Sequence, residues 1–160
     1  MYVHIDPHSP NLKICAPADA KTLAGIDISY TKNLVDPVWG SERPERPTNP
    51  IFVLDVKYAG RGHTEKLGHV RLELEKQKAR ALVVTMLDEV AWLFNLRGSD
   101  IDFNPVFFGY AVVSADGAIL FVDPAQISQD VRSHLGHGVQ LRAYTDFVPY
   151  LKELGAGLQV

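Results

Sequence analysis

The sequence predicts an α/β domain, a mixed β-sheet with helices packed on it. Three observations carry this. Apolar runs of strand length alternate with stretches of helical period along most of the 160 residues. Ala115-Asp116-Gly117 stands between two such runs and marks a hairpin. The stretch from Leu82 to Tyr110 (LVVTMLDEVAWLFNLRGSDIDFNPVFFGY) reads in turn as strand, helix and strand. The rest of the chain is expected to pack around that unit.

Taken from the start, Tyr2–Ile5 reads as a strand stopped by Asp6-Pro7. Ala16–Ala24 reads as a short helix with Pro17 in its first turn. Ile26–Tyr30 alternates and reads as a strand. Residues 1–30 are expected to be the tail of a preceding domain, 31–50 a linker and 51–160 the main domain. Gly40–Pro50 is rich in proline and charge, which predicts an extended connector. Ile51–Val56 is a candidate strand with Pro50 tolerated at its start. Thr64 is placed to cap a helix reaching Lys78, with Leu67, Val70 and Leu74 facing inward. Gly68 weakens that helix by ~1 kcal/mol relative to Ala.

In the central unit, the β-branched run Leu82-Val83-Val84 predicts a buried strand. Thr85-x-x-Asp88 fits a capping box with Asp in place of Glu or Gln, and a helix is expected from Met86 to Asn95, with Gly98 as its stop signal. Leu87, Val90, Ala91 and Phe94 form one apolar stripe. Trp92 and Leu96 point to nearly the opposite side at ~100° per residue. A helix apolar on both sides is buried on both sides, so the second side is expected to meet another domain or subunit. The bland alternative is cover by the domain's own Gly40–Pro50 connector. Val106–Val113 then predicts a second buried strand, paired through the hairpin with Ala118–Val122. Pro124–Leu135 reads as a helix, Val139–Ala143 as a strand and Phe147–Leu154 as a terminal helix.

Composition narrows the function classes. Apolar residues make up 46% of the chain, which suits a globular core. A net charge of −3 argues against nucleic acid as a partner. Cys15 stands alone, so no internal disulfide is possible and a reducing, cytoplasmic setting is expected. No stretch approaches the ~20 apolar residues of a membrane span, and Met1–Pro10 has no apolar run of the signal-peptide kind.

The run LDEVAWLFNLRGSDIDFNPVFFGYAVV resembles the signature of the middle domain of three-domain, cytosolic-type aminopeptidase P, the Xaa-Pro aminopeptidases. Asn33-Leu34-Val35-Asp36, with Trp39-Gly40-Ser41-Glu42-Arg43-Pro44, resembles that family's link into the same domain. Tyr58-Ala59-Gly60 and Lys66-Leu67 fall where the family has its first helix. The likeness runs from about Asn33 to Leu154. It implies a creatinase/prolidase amino-terminal-like fold with ribonuclease H-like topology. It also implies that the peptidase chemistry belongs elsewhere. In the family, a carboxy-terminal domain holds two metal ions, usually manganese, on two Asp, one His and two Glu. This chain would then be a non-catalytic domain with no cofactor of its own. It would act as scaffold and substrate-channel wall, partnered by the catalytic domain or by a second copy. The residues placed to dock are Trp92, Asn95, Leu96 and Arg97, the last through a bidentate pair with a carboxylate.

Other candidate chemistry is sparse. Gly136-His137-Gly138-Val139 matches four residues of the family's active-site histidine stretch, but no Val-His-Glu follows, and a helix stop is the expected role. His134-x-x-His137 has a zinc-like spacing without third or fourth ligands. Asp100-x-Asp102 pairs two carboxylates in what should be a solvated loop, and His63 and His69 are expected at the surface. There is no Gly-rich phosphate loop and no Ser-His-Asp signature. Two rival readings stay open: a stand-alone interaction module binding a protein through the Trp92 face, and a small unrelated hydrolase using the histidines.

Overall fold

The computed structural model describes residues 35–156, and it divides into two units between Arg46 and Pro47. The strands expected at Tyr2–Ile5 and Ile26–Tyr30 and the helix expected at Ala16–Ala24 lie outside the described residues. In the first unit a short helix, α1 (Val35–Trp39), runs into a 3-10 turn at Gly40–Glu42. Arg43 binds Asp36 at 2.6 Å and lies over the Trp39 ring. The connector is therefore not extended from Gly40. Only from about Arg43 does it lose regular structure.

The second unit carries β1 (Phe52–Val53), α2 (Val56–Ala59), α3 (His63–Lys76), β2 (Ala81–Val84), α4 (Leu87–Phe94) and β3 (Leu96–Arg97). Then come β4 (Gly109–Ser114), β5 (Ala118–Val122), α5 (Gln129–Leu135), β6 (Val139–Ala143) and α6 (Phe147–Ala156). The main sheet has the order β2-β4-β5-β6. β2 pairs antiparallel with β4, from Ala81 opposite Ser114 to Val84 opposite Ala111. β4 and β5 form the expected hairpin, closed by the Ser114 N–H donating to the Gly117 carbonyl at 2.9 Å. β5 and β6 run parallel, with Ala118 opposite Val139. Parallel neighbours need a crossover, and α5 supplies it. β1 and β3 make a separate two-stranded pair.

Alternation along the strands splits the core in two. Ala111 and Val113 of β4 and Leu120 of β5 face α3, α4 and α5, packing with Leu67, Phe94 and Val131. Val112 and Phe121 face the other way, onto Phe147 of α6. This is the mixed α/β architecture the sequence predicts.

Several local expectations need correction. Among the described residues β2 is an edge strand with little packed over its outer end, and Leu82 and Val83 are exposed rather than buried. Ile51–Val56 shrinks to two strand residues, because the Asp55 side chain accepts from the Lys57 N–H and starts α2 instead. α3 begins one residue before Thr64, with Gly62 as its cap. The helix expected over Pro124–Leu135 breaks into a 3-10 turn (Pro124–Gln126) and α5, because Ser128 caps the second piece by accepting from Val131 N–H. At α4 the Thr85–Asp88 capping box does not form. Met86 is the cap residue and offers no side-chain bond.

Gly98 also differs from its expected role. α4 has already ended at Asn95, which takes the left-handed conformation at φ 53°. What Gly98 provides is close approach, since a Cβ there would lie 2.8 Å from the Phe107 Cβ and 3.0 Å from the Val106 carbonyl oxygen.

Candidate functional site

The C-terminal end of α4 is where polar groups converge inside the domain. Asn95 closes the helix as its αL residue, a position Asn fills more readily than most side chains. Its side chain is buried and bonded at both ends: Nδ2 donates to the Arg61 carbonyl at 2.8 Å, and Oδ1 accepts from Lys66 Nζ at 2.6 Å. Lys66 is itself only 4% exposed. It donates a second bond to the Trp92 carbonyl at 2.7 Å, and its Nζ stands 4.5 Å from the centre of the Trp92 ring. Burial, and then the nearby Arg97 charge, hold the Lys66 amine below its ordinary value. Among the described residues no carboxylate forms a salt bridge with it. Its charge is met by the carbonyls at the negative end of α4 and by a ring face.

Trp92 sits on the outer side of α4 and is 51% exposed. Apolar surface lies beside it over Val70 and Leu82, with Asp88 and Glu89 on one part of the lining and Arg61, His69 and Glu73 on another. The predicted partnership of Trp92 with Leu96 does not hold. The left-handed turn at Asn95 takes the chain off the helix, so the 100° rule stops applying, and Leu96 enters β3 fully buried at 0% exposure. Asn95 likewise faces inward as a cap rather than outward to a partner. Arg97 is half-buried and donates to the Ala91 and Leu96 carbonyls at 3.1 and 2.8 Å, so part of its guanidinium is committed to the helix end. Of the four residues proposed to dock, the structure leaves Trp92 on the surface and Arg97 partly so.

The histidines divide differently from expectation. His137 is exposed in a 3-10 turn, while His134 turns back to put Nε2 2.9 Å from the Phe94 carbonyl oxygen. His63, expected at the surface, is 7% exposed and lies against His134. Among the described residues no group of three or more His, Cys, Asp or Glu is placed to hold a metal ion.

Asp100 also departs from the solvated-loop reading. It is buried, and its carboxylate accepts from the Asn49 N–H, the Phe108 N–H and Gln126 Nε2, each at 2.9 Å. It thereby ties three separate loops together. Sequence reasoning missed Lys66 and His63 as interior residues. The signal was present: His63, Lys66, Leu67, Val70 and Leu74 follow i, i+3, i+4, i+7, i+11 along one helical face.

Comparison with known proteins places this geometry in context. The family model for the creatinase/prolidase N-terminal domain matches residues 42–159. A "probable Xaa-Pro aminopeptidase P" of Coprinopsis cinerea is 58% identical over 129 residues, covering 81% of this chain and 21% of that protein. The corresponding protein of Laccaria bicolor is 45% identical over 170 residues, covering 100% of this chain and 26% of its own length. Among solved structures, the X-prolyl aminopeptidase of Caenorhabditis elegans, described as a cytosolic enzyme with a di-nuclear active site, superposes with a TM-score of 0.77 at 33% identity. That match covers 92% of this chain and 26% of the other. The chain thus spans about a quarter of the length of the relatives it matches.

Proposed function

The chain belongs to the creatinase/prolidase N-terminal domain family, and we propose that it serves an Xaa-Pro aminopeptidase as a non-catalytic scaffold and channel wall. The peptidase chemistry, with its pair of metal ions, would be supplied by sequence outside the quarter that this chain matches. The observation that carries the reading is Trp92, half out of the domain beside apolar surface with charged residues along its edges. Completing the burial of that indole against a neighbouring domain is worth roughly 1 kcal/mol, about half the value of a fully buried large side chain. The buried Lys66 beneath the ring holds it in place by a cation–π contact. Arg97, with part of its guanidinium free of the helix end, adds a donor for a carboxylate of the neighbour.

A chimera tests the proposal. The region of the Coprinopsis cinerea protein that matches this chain is replaced by this chain, and hydrolysis of an Xaa-Pro dipeptide is followed with added manganese. The chimera is expected to turn over substrate, the isolated chain is not, and Trp92→Ala in the chimera is expected to lower activity severalfold. Turnover by the isolated chain that survives repurification and dies with chelator would overturn the non-catalytic reading. A folded chimera indifferent to Trp92→Ala would remove the docking role. The alternative, a stand-alone interaction module using the same face, would be favoured by an inactive but folded chimera.

A further inference from the structure

Two histidines from different helices meet inside the domain. His63 opens α3 and His134 lies in the last turn of α5, with ring centroids 4.5 Å apart and planes tilted by 49°. His134 puts Nε2 against the Phe94 carbonyl, and because a carbonyl only accepts, that nitrogen carries the proton. The contact binds α5 to the last residue of α4. His63 is enclosed, and its Nε2 has no hydrogen-bond partner.

A proton added to His63 Nε2 would therefore enter a buried site with no acceptor. The charged groups acting on it are cationic: His134 when protonated, from α5, and Lys66, from its own helix. Arg97 of β3 stands behind Lys66. The carboxylates closest in sequence on the two helices, Glu65 and Asp130, are exposed, and Glu65 is 3.7 Å from Arg61. None of the charged groups acting on His63 is a carboxylate, and only the Leu135 carbonyl favours the added proton.

We propose that the His63–His134 contact is a proton-operated latch, closed while the His63 ring is neutral and released on acidification, so that α5 parts from the C-terminal end of α4. Burial, then His134, then Lys66 push the His63 imidazole below its ordinary 6.5, with only the Leu135 carbonyl pulling the other way. The sign follows. The unfolded chain takes up this proton near the ordinary value and the folded chain takes it up lower. The latch's contribution is whole above the ordinary value and is lost as pH falls toward the native one. Its release reaches the docking face, because the Phe94 carbonyl is adjacent to Asn95, which holds Lys66.

The test uses the whole 160-residue chain. Urea midpoints are measured from about pH 7.5 to about pH 5, the range in which an ordinary imidazole titrates. Histidine ring resonances are followed by NMR over the same range. The wild-type midpoint is expected to fall on acidification, and His63→Phe, which keeps a ring against His134, is expected to lose most of that fall. His137→Gln, a control at an exposed turn, should keep it. The His63 ring should titrate below the ordinary imidazole value of 6.5. Should His63→Phe not fold, His63→Gln and the wild-type ring titration carry the test. A non-titrating His63 variant with an undiminished fall, or a His63 ring that titrates at or above the ordinary imidazole value, overturns the latch.

Discussion

Lys66 Nζ lies 2.6 Å from Asn95 Oδ1, and this contact fastens the first half of α3 to the end of α4. It puts a buried cation at the negative end of a helix, beside the face of a tryptophan. The amine is stabilised by dipoles rather than by a counter-ion, so each of the groups around it is expected to matter more than a surface partner would.

Asn95 is the first test of that expectation. Asn95→Ala removes two buried hydrogen bonds, one of them charge-assisted, and forces a Cβ-bearing residue without a polar tip into the left-handed region. The expected cost is ~3–5 kcal/mol, summing about 1.5–3 for the charged hydrogen bond, about 0.5–1.5 for the neutral one and about 1 of backbone strain. Asn95→Gly relieves the strain but not the lost bonds, so it should cost less than the alanine. Urea unfolding of the three proteins checks the order.

Lys66→Met is expected to destabilise the domain at neutral pH by ~1–3 kcal/mol, the cost of leaving buried acceptors unsatisfied. Its pH signature is more telling. The folded chain holds the Lys66 amine below the ordinary 10.5, so the unfolded chain binds the extra proton between those two values. Wild-type stability therefore gains a rising component as pH increases through that alkaline window. The methionine variant should lack it, as read from urea midpoints measured at rising pH.

Gly98→Ala is expected to be disruptive, although the φ at Gly98 is not in the left-handed region. The added methyl would meet the Phe107 Cβ and the Val106 carbonyl oxygen, which belong to a segment held by the Asp100 hub. Overpacking of this kind costs ~1–3 kcal/mol. Thermal unfolding should show a lowered midpoint, while Gly117→Ala, where the space is open, should leave packing unchanged.

Trp92→Ala and Phe94→Ala separate the two sides of α4. Phe94 is wholly buried, and its truncation should cost ~3–5 kcal/mol. Trp92 is half-exposed and should cost the isolated chain roughly 1 kcal/mol. Denaturant unfolding with sedimentation in parallel measures both stability and association. A Trp92 loss as large as the Phe94 loss, with no change in association, would make Trp92 an ordinary core residue.

Much of the fold could be read from the residues. The hairpin at Asp116-Gly117, the strand Val139–Ala143 and the start of α6 at Phe147 follow from turn chemistry and apolar runs, which are local signals. The interior of the candidate site was less accessible, for a physical reason. Periodicity assigns faces only while the helix lasts, and the αL turn at Asn95 sent Leu96 into the core against the helical projection. Lys66 and His63 carry the expected spacing for burial, but their chemistry argues for solvent. Their placement depends on carbonyls and rings from α4 and α5, distant in sequence. The same holds for Asp100, whose three donors come from Asn49, Phe108 and Gln126.

The two margins of the main sheet are chemically unequal. β6 carries Gln140 and Arg142 among its five residues, whereas β2 is Ala81-Leu82-Val83-Val84 with no charge. Charge and polarity on an outer strand discourage recruitment of further backbone, and their lack invites it. Among the described residues, the sheet is accordingly guarded against growth on one flank and receptive on the other. Any ordered accretion of copies, on heating or at high concentration, would begin along β2 and proceed in one direction. A single lysine at Val83 would block that growth without touching the buried face that Val84 shares with Ala111.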